Sequence, residues 1–291
     1  MRRAHLTAAL SAAVCVLAAV QISALPSAQA SPLVPAPPGG VVAAAADLIN
    51  ATTGQRLWAR NLNAKLPIAS LAKVMTALVV LADGGLDRKI RVTEAAVQYA
   101  AANFAGSAGL HVGDVLTARQ LLEGMLLPSG ADAAYLLATS YGPGRAAFVR
   151  SMNAKARSLG MTQTNFANFD GLPWPTPTAT YSSPRDLLIM AEAAMKRPNF
   201  VAMVGQRSYL VRATSQNHRY YWTNTDLLLA SYPGAIGIKT GFTTAAGYCL
   251  LFDARRGGTD LMGVVLGSTD TNANMRFTAA ARLLNWGFAN G

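Results

Sequence analysis

The strongest structural signal in the chain is the stretch Pro67-Ile68-Ala69-Ser70-Leu71-Ala72-Lys73-Val74-Met75-Thr76. From this stretch onward, apolar residues recur at the spacing of one helix face, namely Leu71, Val74, Met75, Leu78 and Val79. The spacing predicts a helix that begins near Ser70 and buries its apolar side. A serine at the start of a helix commonly serves only as its N-cap, and this is the structural alternative to a chemical role for Ser70.

Three ordered motifs predict a chemical role. Ser70 and Lys73 are three residues apart, so a helix places the hydroxyl and the amine one turn apart on the same face. The amine can then take the hydroxyl proton while the oxygen attacks a carbonyl carbon. Two motifs follow, Ser129-Gly130-Ala131-Asp132 and Lys239-Thr240-Gly241. Lys-Thr-Gly arises by chance only roughly once in several thousand positions, so the ordered set predicts a serine acyl-transfer site without a histidine.

Each group in these motifs has a defined task in such a site. Lys73 can act as the base only if burial and a neighbouring cation, Lys239, push its pKa below the ordinary value of about 10.4. The Ser129 hydroxyl can relay a proton to the leaving amine. The backbone N–H groups of Ser70 and Phe242 are candidates for the oxyanion hole. Lys239, Thr240 and a further cation would hold a terminal carboxylate of the substrate.

Strand patterns occur at both ends of the chain, with helical patterns between them. The predicted strands are Asp47–Asn50, Arg56–Arg60, Ile236–Thr240, Gly247–Ala254 and Leu261–Leu266, with turns at Thr53-Gly54 and Gly257-Gly258. The predicted helical regions are 92–159, with Gly160 as a stop, a helix from Pro184 and a final helix over Met275–Trp286. This order predicts an α+β fold in which an antiparallel sheet is flanked by helices and an all-helical subdomain is inserted. The cleft is expected where the inserted helices meet the sheet edge.

The N-terminal residues are typical of an exported protein. Two arginines precede an apolar run from Leu6 to Leu25, and Ser27-Ala28-Gln29-Ala30 offers small residues to a signal peptidase. We expect a signal peptide over 1–30, a Pro- and Ala-rich linker over 31–45 and a catalytic domain over 46–291. The alternative is an uncleaved membrane anchor, since a membrane helix needs only about 20 apolar residues. The predicted location is therefore the periplasmic space, the cell wall or the medium, with membrane tethering if the leader stays.

Composition excludes several classes of site. The 291 residues carry a formal net charge of +11. On an exported protein this charge favours anionic cell-wall polymers over nucleic acid as binding partners. A basic surface with no dedicated partner is an equally good interpretation. Cys249 is the one cysteine outside the leader and lies in an apolar stretch, so we expect a buried, inert thiol. His111 and His218 have no metal-ligand spacing, and no Gly-x-Ser-x-Gly elbow occurs. We therefore expect no metal and no other cofactor.

The motifs and their surroundings resemble the low-molecular-mass D-alanyl-D-alanine carboxypeptidases, which are penicillin-binding serine peptidases. The resemblance covers nearly the whole chain after Ala46. Besides the stretch around Ser70, it rests on Leu126-Leu127-Pro128-Ser129-Gly130, Asn168-Phe169-Asp170-Gly171-Leu172-Pro173, the run from Tyr232 to Thr243, and Leu283-Leu284-Asn285-Trp286-Gly287-Phe288. It implies a β-lactamase/transpeptidase-like fold. The implied reaction removes the terminal D-alanine from peptidoglycan stem peptides through an acyl-enzyme, and β-lactams would acylate the same serine.

The resemblance also implies roles for individual residues. The catalytic positions are matched by Ser70, Lys73 and Ser129, and the substrate-binding positions by Lys239, Thr240, Gly241, Phe242 and Arg276. The family has asparagine at the third place of its second motif, where this chain has Ala131, a residue without a hydrogen-bonding side chain. For the neighbouring Asp132 we favour helix capping or a buried polar contact. Larger members continue into a β-rich domain that this sequence is not expected to have.

Three alternatives use the same motifs. One is a D-alanyl endopeptidase that cuts cross-links, and another is a penicillin-binding protein that has lost turnover, for which Ala131 is the only support. A serine β-lactamase would add a carboxylate that activates water for deacylation. The acids nearest to that requirement are Glu123, in an apolar helix, and Asp170, in the Gly-Leu-Pro loop, and neither fits it well. Trp174 follows that loop, and its sequence context favours core or cleft-wall packing, with substrate contact as the alternative.

Overall fold

The framework of the fold is a five-stranded antiparallel sheet with the spatial order β2-β1-β11-β10-β9. In chain order the strands are β1 (Ala45–Asn50), β2 (Gln55–Arg60), β3 (Leu66–Pro67), β4 (Lys89–Arg91), β5 (Val115–Thr117), β6 (Tyr181–Ser182), β7 (Ser208–Val211), β8 (Tyr220–Thr223), β9 (Ala235–Thr243), β10 (Gly247–Arg256) and β11 (Thr259–Leu266). The first strand pairs with the last, so both chain ends build one sheet. This confirms the predicted topology, and it leaves β9 at an edge.

The computed structural model describes residue 1, residues 36–269 and residues 271–291. Apart from Met1, the predicted signal peptide lies outside the described residues, as does the first part of the predicted linker, so both stay predictions. No helix in the described part of the chain is long and apolar enough to cross a membrane.

The helices occupy the long segment between β2 and β9 and the C-terminal end. They are α1 (Ala72–Asp83), α2 (Glu94–Ala102), α3 (Ala118–Leu126), α4 (Ala131–Ser140), α5 (Arg145–Ser158), α6 (Pro184–Met195), α7 (Pro198–Val204), α8 (Leu228–Ser231) and α9 (Met275–Asn290). Two predicted boundaries are confirmed. Ser183 caps α6 by accepting from the Asp186 N–H at 3.2 Å, with Pro184 in the first turn, and Gly160 follows α5 with a φ of 79°.

Alternate residues of the sheet enter two separate hydrophobic cores. In β10, Cys249 and Leu251 pack toward the inserted helices, whereas Leu250 and Phe252 pack in the cluster that includes α9. The sheet is therefore buried on both faces, and full burial of a side chain such as Phe252 contributes roughly 1.5–3 kcal/mol. Gly287 lets α9 approach the sheet closely, since a Cβ there would lie 2.8 Å from a Leu261 methyl group.

Helix α1 is buried on almost all sides, because α3, α4, α5 and α6 pack against it. Leu71, Val74, Met75 and Leu78 are buried as predicted, while Val79 is only half-buried. The motif of Ser70 and Lys73 at the start of this helix is consequently surrounded by protein. This burial determines the chemistry of the site.

The segment 92–159 is mostly helical, as predicted, with four helices along it. It also contains β5 and a long irregular stretch from 103 to 114. The strands β3 to β8 form three separate two-stranded pairs, β3·β6, β4·β5 and β7·β8. Strands of two to four residues are too short to show the alternation that identifies a strand in the sequence.

Candidate active site

Ser70 and Lys73 meet where a 3₁₀ turn, Ala69–Leu71, leads into α1. Lys73 Nζ lies 2.9 Å from Ser70 Oγ and donates a hydrogen bond of 3.2 Å to the backbone carbonyl of Asp170. Neither the turn nor α1 has a side-chain cap, and the N-cap residue of α1 is Leu71. The N-cap alternative is therefore wrong for Ser70, whose hydroxyl instead contacts the lysine.

The Gly-Leu-Pro loop packs tightly against this turn. Ala69 has a φ of 47°, in the left-handed region that costs a non-glycine residue roughly 1–2 kcal/mol. A Cβ at Gly171 would lie 1.8 Å from the Ala69 carbonyl oxygen, so the contact requires glycine. This close approach brings the Asp170 carbonyl within reach of Lys73.

The amine of Lys73 is shielded from water, since the residue is only 1% exposed. Burial lowers the pKa of Lys73, because desolvation disfavours the charged form, and the carboxylates of Asp170 and Asp132 oppose this shift. Burial in turn raises the pKa of Asp170, and the Lys73 cation counteracts part of that rise. Desolvation thus favours the neutral amine that can accept a proton from Ser70.

Ser129 is held by its backbone surroundings at the start of α4. Its own φ is 66°, again in the left-handed region. The next residue must be glycine, since a Cβ at Gly130 would lie 2.6 Å from the Gly124 carbonyl oxygen. Ala131 then begins α4, and its N–H donates to the Gly106 carbonyl at 2.7 Å. These contacts fix the hydroxyl-bearing residue at one wall of the cleft.

The two residues after Gly130 have different surroundings. The buried carboxylate of Asp132 accepts hydrogen bonds from Ser107 Oγ at 2.6 Å and from the Ala108 N–H at 2.8 Å. This confirms the expected buried polar contact, which ties the loop before α3 to α4. Ala131 is also fully buried, and its methyl group offers no partner to the lysine of the first motif. Lys73 finds its second hydrogen bond at the Asp170 carbonyl instead.

The third motif lies on the edge strand β9, directly beside the 3₁₀ turn. A Cβ at Gly241 would lie 3.0 Å from the Ile68 carbonyl oxygen and 3.2 Å from the Ser70 nitrogen. Glycine therefore allows the strand to approach the turn that carries Ser70. The motif lysine, Lys239, is 1% exposed, and its Nζ donates to the Thr240 carbonyl at 3.2 Å.

The charged form of the Lys239 side chain is less stable than that of an ordinary, exposed lysine. Burial lowers its pKa well below the usual value, the nearby cations of Lys73 and Arg276 lower it further, and only Asp226 opposes them. Asp226 is itself buried, and desolvation raises its pKa to about 6. One of its oxygens, Oδ2, has no hydrogen-bond partner among the described residues.

Thr225, Asp226 and Tyr248 are site residues that the sequence analysis missed. Thr225 Oγ1 lies 2.6 Å from Thr240 Oγ1, so the two hydroxyls share a hydrogen bond beside the cleft. Tyr248 lies under the guanidinium of Arg276 at 5.1 Å and stacks on Phe242 with ring centroids 4.3 Å apart. One sequence signal existed, since Thr225 and Asp226 form part of a polar run directly after the aromatic residues of β8.

Arg276 reaches the same place from the first turn of α9. Its Nη1 donates to the Gly241 carbonyl at 3.2 Å, while its Nε is buried with no hydrogen-bond partner in the described part of the chain. Burial lowers the pKa of Arg276. A buried guanidinium with an unpaired N–H favours an anionic oxygen ligand.

These elements enclose a cleft of about 450 Å³. Of the predicted site residues, those that line it are Ser70, Lys73, Ser129, Thr240, Gly241, Phe242 and Arg276. Lys239 is the exception, because its side chain is almost fully buried and does not line the cleft. The described residues that line the cleft include no aspartate or glutamate.

Other reactive side chains lie outside this cleft. The rings of His111 and His218 stack 4.2 Å apart, and His218 Nδ1 contacts Asp114 at 2.9 Å. Cys249 is fully buried, as expected, and burial raises its thiol pKa to about 11. Glu123 is buried in α3 with its carboxylate bonded to the Gln206 amide. Over residues 36–269 and 271–291, no cluster of three or more potential ligand residues could hold a metal ion.

The geometry agrees with a known family. The family model for D-alanyl-D-alanine carboxypeptidases matches residues 32–270 of the chain. The chain belongs to the D-alanyl-D-alanine carboxypeptidase family. The match includes all three motifs and stops before the arginine at the start of α9.

Relatives in the D-alanyl-D-alanine carboxypeptidase family are similar over most of the chain. A D-alanyl-D-alanine carboxypeptidase of Streptomyces sp. (strain K15) is 41% identical over 253 residues, which cover 83% of this chain and 85% of that protein. The carboxypeptidase DacB2 of Mycobacterium tuberculosis is 39% identical over 238 residues, covering 81% and 79%. The crystal structure of the Streptomyces K15 DD-transpeptidase has a TM-score of 0.80 at 40% identity, covering 86% of this chain and 98% of that one. This similarity confirms the expected β-lactamase/transpeptidase-like fold.

Proposed function

We propose that this protein is a serine-type D-alanyl-D-alanine carboxypeptidase that removes the terminal D-alanine from peptidoglycan stem peptides. The observation that carries the proposal is the 2.9 Å contact between Ser70 Oγ and the buried amine of Lys73, at the base of a cleft that also holds Ser129, Thr240 and Arg276. Family membership supports the substrate class. The substrate and the β-lactams that resemble it would be met outside the cytoplasm.

Acylation follows from the state of Lys73. In its neutral form the amine takes the Ser70 proton as the oxygen attacks the carbonyl carbon of the penultimate D-alanine. The backbone N–H groups of Ser70 and Phe242 are the proposed donors to the oxyanion that forms. The C–N bond then breaks, and Ser129 relays the proton from Lys73 to the departing amine of D-alanine.

The terminal carboxylate would be held at the β9 side of the cleft. Arg276 offers a guanidinium with an unpaired N–H, and Thr240 offers a hydroxyl that already bonds to Thr225. The buried amine of Lys239 donates to the Thr240 carbonyl, and its charge interacts with that of Arg276. A carboxylate in this place would compensate the neighbouring positive charges of Lys239 and Arg276, and this supports recognition of a free C-terminus.

Deacylation would use the same base. Water attacks the ester carbon, Lys73 takes the water proton, and the proton returns to Ser70 as the C–O bond breaks. A β-lactamase needs an additional carboxylate to activate the water. Glu123 and Asp170 do not line the cleft, which supports slow release of bound penicillin and argues against that alternative.

The activity test separates the proposal from its alternatives. We expect D-alanine release from a peptide ending in Lys-D-Ala-D-Ala, and much slower cleavage of a D-alanyl cross-linked dimer. Cleavage of the dimer alone would indicate the endopeptidase. Penicillin labelling without cleavage of either substrate would indicate a protein that has lost turnover through Ala131.

A further inference from the structure

A second cavity adjoins the cleft on the side of the inserted helices. It measures about 750 Å³ and is lined by residues that include Tyr99, Asn103, Arg145, Asn168, Phe169 and Trp174. Asn103 lines both cavities. The loop 172–174 also joins them, since Leu172 and Pro173 line the cleft and Trp174 lines the second cavity. We call this second cavity the distal groove.

The walls of the distal groove are held in place by their own hydrogen bonds. Asn168 Nδ2 donates to the Leu172 and Trp174 carbonyls at 2.8 and 2.9 Å, and Asn168 Oδ1 accepts from the Gly171 N–H at 2.7 Å. Asn103 Nδ2 donates to the Tyr99 carbonyl at 2.7 Å. These hydrogen bonds fix the conformation of the loop and of the end of α2 that line the groove.

Arg145 gives the distal groove a positive charge. Among the described residues that line it, Arg145 is the one charged side chain. Its guanidinium lies 4.3 Å from the ring centroid of Tyr135 and 6.0 Å from that of Tyr99, which holds it by cation–π contact. No ion pair in the described part of the chain involves Arg145. A guanidinium stacked on a ring keeps its edge N–H groups available for a carboxylate.

The position of the groove defines which part of a substrate can enter it. The proposed anchors of the C-terminal carboxylate, Thr240 and Arg276, lie at the β9 side, and no residue of β9 or α9 lines the distal groove. A substrate ends at that carboxylate. Any part of it that extends beyond the cleft must therefore lie on the acyl side of the bond that is cut.

We propose that the distal groove binds the acyl-side part of the stem peptide and that Arg145 pairs with a carboxylate carried there. The aromatic side chains of Tyr99, Phe169 and Trp174 would pack against the aliphatic portions of that chain. This inference rests on the proposed carboxypeptidase function. It makes the distal groove a determinant of substrate choice.

The test compares two pentapeptides that both end in Lys-D-Ala-D-Ala. One has an acidic residue at its second position, and in the other this carboxylate is converted to a primary amide. The readout is the ratio of kcat/KM for the acid to that for the amide in the full-length protein. We expect a ratio of about five, the upper end of the range for an exposed ion pair, and a fall to about one in Arg145→Gln. Arg145→Lys should restore part of the preference, and Arg150→Gln, on the same helix, should keep all of it.

Equal rates for the acid and the amide in the natural protein would overturn the inference, even if Arg145→Gln does not fold. An unchanged ratio in a folded Arg145→Gln, or an equal loss in Arg150→Gln, would also overturn it. The proposed function is tested independently, because D-alanine release from the amide peptide does not depend on the Arg145 contact. Absence of release from both peptides would instead contradict the carboxypeptidase proposal.

Discussion

Two buried lysines, Lys73 and Lys239, lie beside the same cleft, and they differ in the charges around them. Burial lowers the pKa of both amines. Around Lys73 the neighbours that matter are the carboxylates of Asp170 and Asp132, which oppose the shift. Around Lys239 two cations reinforce it, and only Asp226 opposes it. Lys73 can thus accept and hold a proton during the reaction, whereas the charge of Lys239 is best stabilised by an anionic substrate.

The largest effect should come from removing the proposed base. We expect Lys73→Met to reduce kcat/KM for D-alanine release by about a thousandfold or more, because Ser70 then has no group to take its proton. Single-turnover acylation by penicillin, followed by intact-protein mass, measures the same step without deacylation. The exposed residue Lys89 provides the control, and Lys89→Met should acylate at the natural rate. Acylation of Lys73→Met within tenfold of that rate would assign the base to another group.

Removal of Lys239 should affect recognition of the substrate carboxylate more than the acylation step. We expect Lys239→Met to lower kcat/KM by about a hundredfold on a peptide with a free C-terminal carboxylate, since a desolvated charge pair is lost. On the matched peptide with a C-terminal carboxamide the loss should be much smaller. Steady-state kinetics on both peptides give the comparison. Equal losses on the two peptides would mean that Lys239 does not recognise the carboxylate.

The carboxylate beside Lys239 should make this recognition depend on pH. Asp226 has a pKa of about 6, so it is charged above pH 6 and neutral below it, and its charge raises the pKa of Lys239. In Asp226→Asn the Lys239 cation should therefore be lost at a lower pH. We expect KM to rise about fivefold relative to the natural protein at pH 8 and to match it near pH 5. A KM ratio that stays constant between pH 5 and pH 8 would contradict this account.

The smallest effect should come from the hydroxyl pair at the cleft wall. Thr225→Val removes the partner of Thr240 while keeping the shape of the side chain. The Thr225 hydroxyl also donates to the Leu127 carbonyl at 3.2 Å, and we expect kcat/KM to fall about three- to fivefold, within the range for the loss of neutral hydrogen bonds. Thr244→Val is a matched control, because Thr244 also lines the cleft and is not part of this pair. An equal loss of kcat/KM in Thr244→Val and Thr225→Val would contradict a specific role for the hydroxyl pair.

The motif residues could be predicted because their sequence patterns span only a few residues or seldom occur by chance. Ser70 and Lys73 are one helical turn apart, and Lys-Thr-Gly ends a strand whose apolar pattern is clear. The main sheet was predictable for the same reason, since its later strands are long and bounded by turns. The buried contact of Asp132 followed from its place at the start of a helix.

The remaining parts of the site depend on tertiary contacts. Thr225 reaches the cleft because the segment after β8 is hydrogen-bonded to the Leu127 carbonyl at the end of α3, and Asp226 next to it acts on the buried charge of Lys239. Tyr248 reaches the cleft because the pairing of β10 with β9 places it opposite Phe242. The acceptor that Lys73 uses in place of the missing asparagine is a backbone carbonyl, that of Asp170, which no side-chain pattern reveals. The distal groove likewise joins residues from α2, α5 and the 167–174 loop, which are far apart in the sequence.

The central claim is that Ser70, activated by Lys73, is the nucleophile. It is tested most directly by peptide mapping of the intact protein after incubation with penicillin, with D-alanine release measured in parallel for the natural protein and for Ser70→Ala. We predict a slowly released adduct on Ser70 together with D-alanine release, and the loss of both in Ser70→Ala. An adduct of the same mass in Ser70→Ala, or one that maps to another residue, would contradict the account.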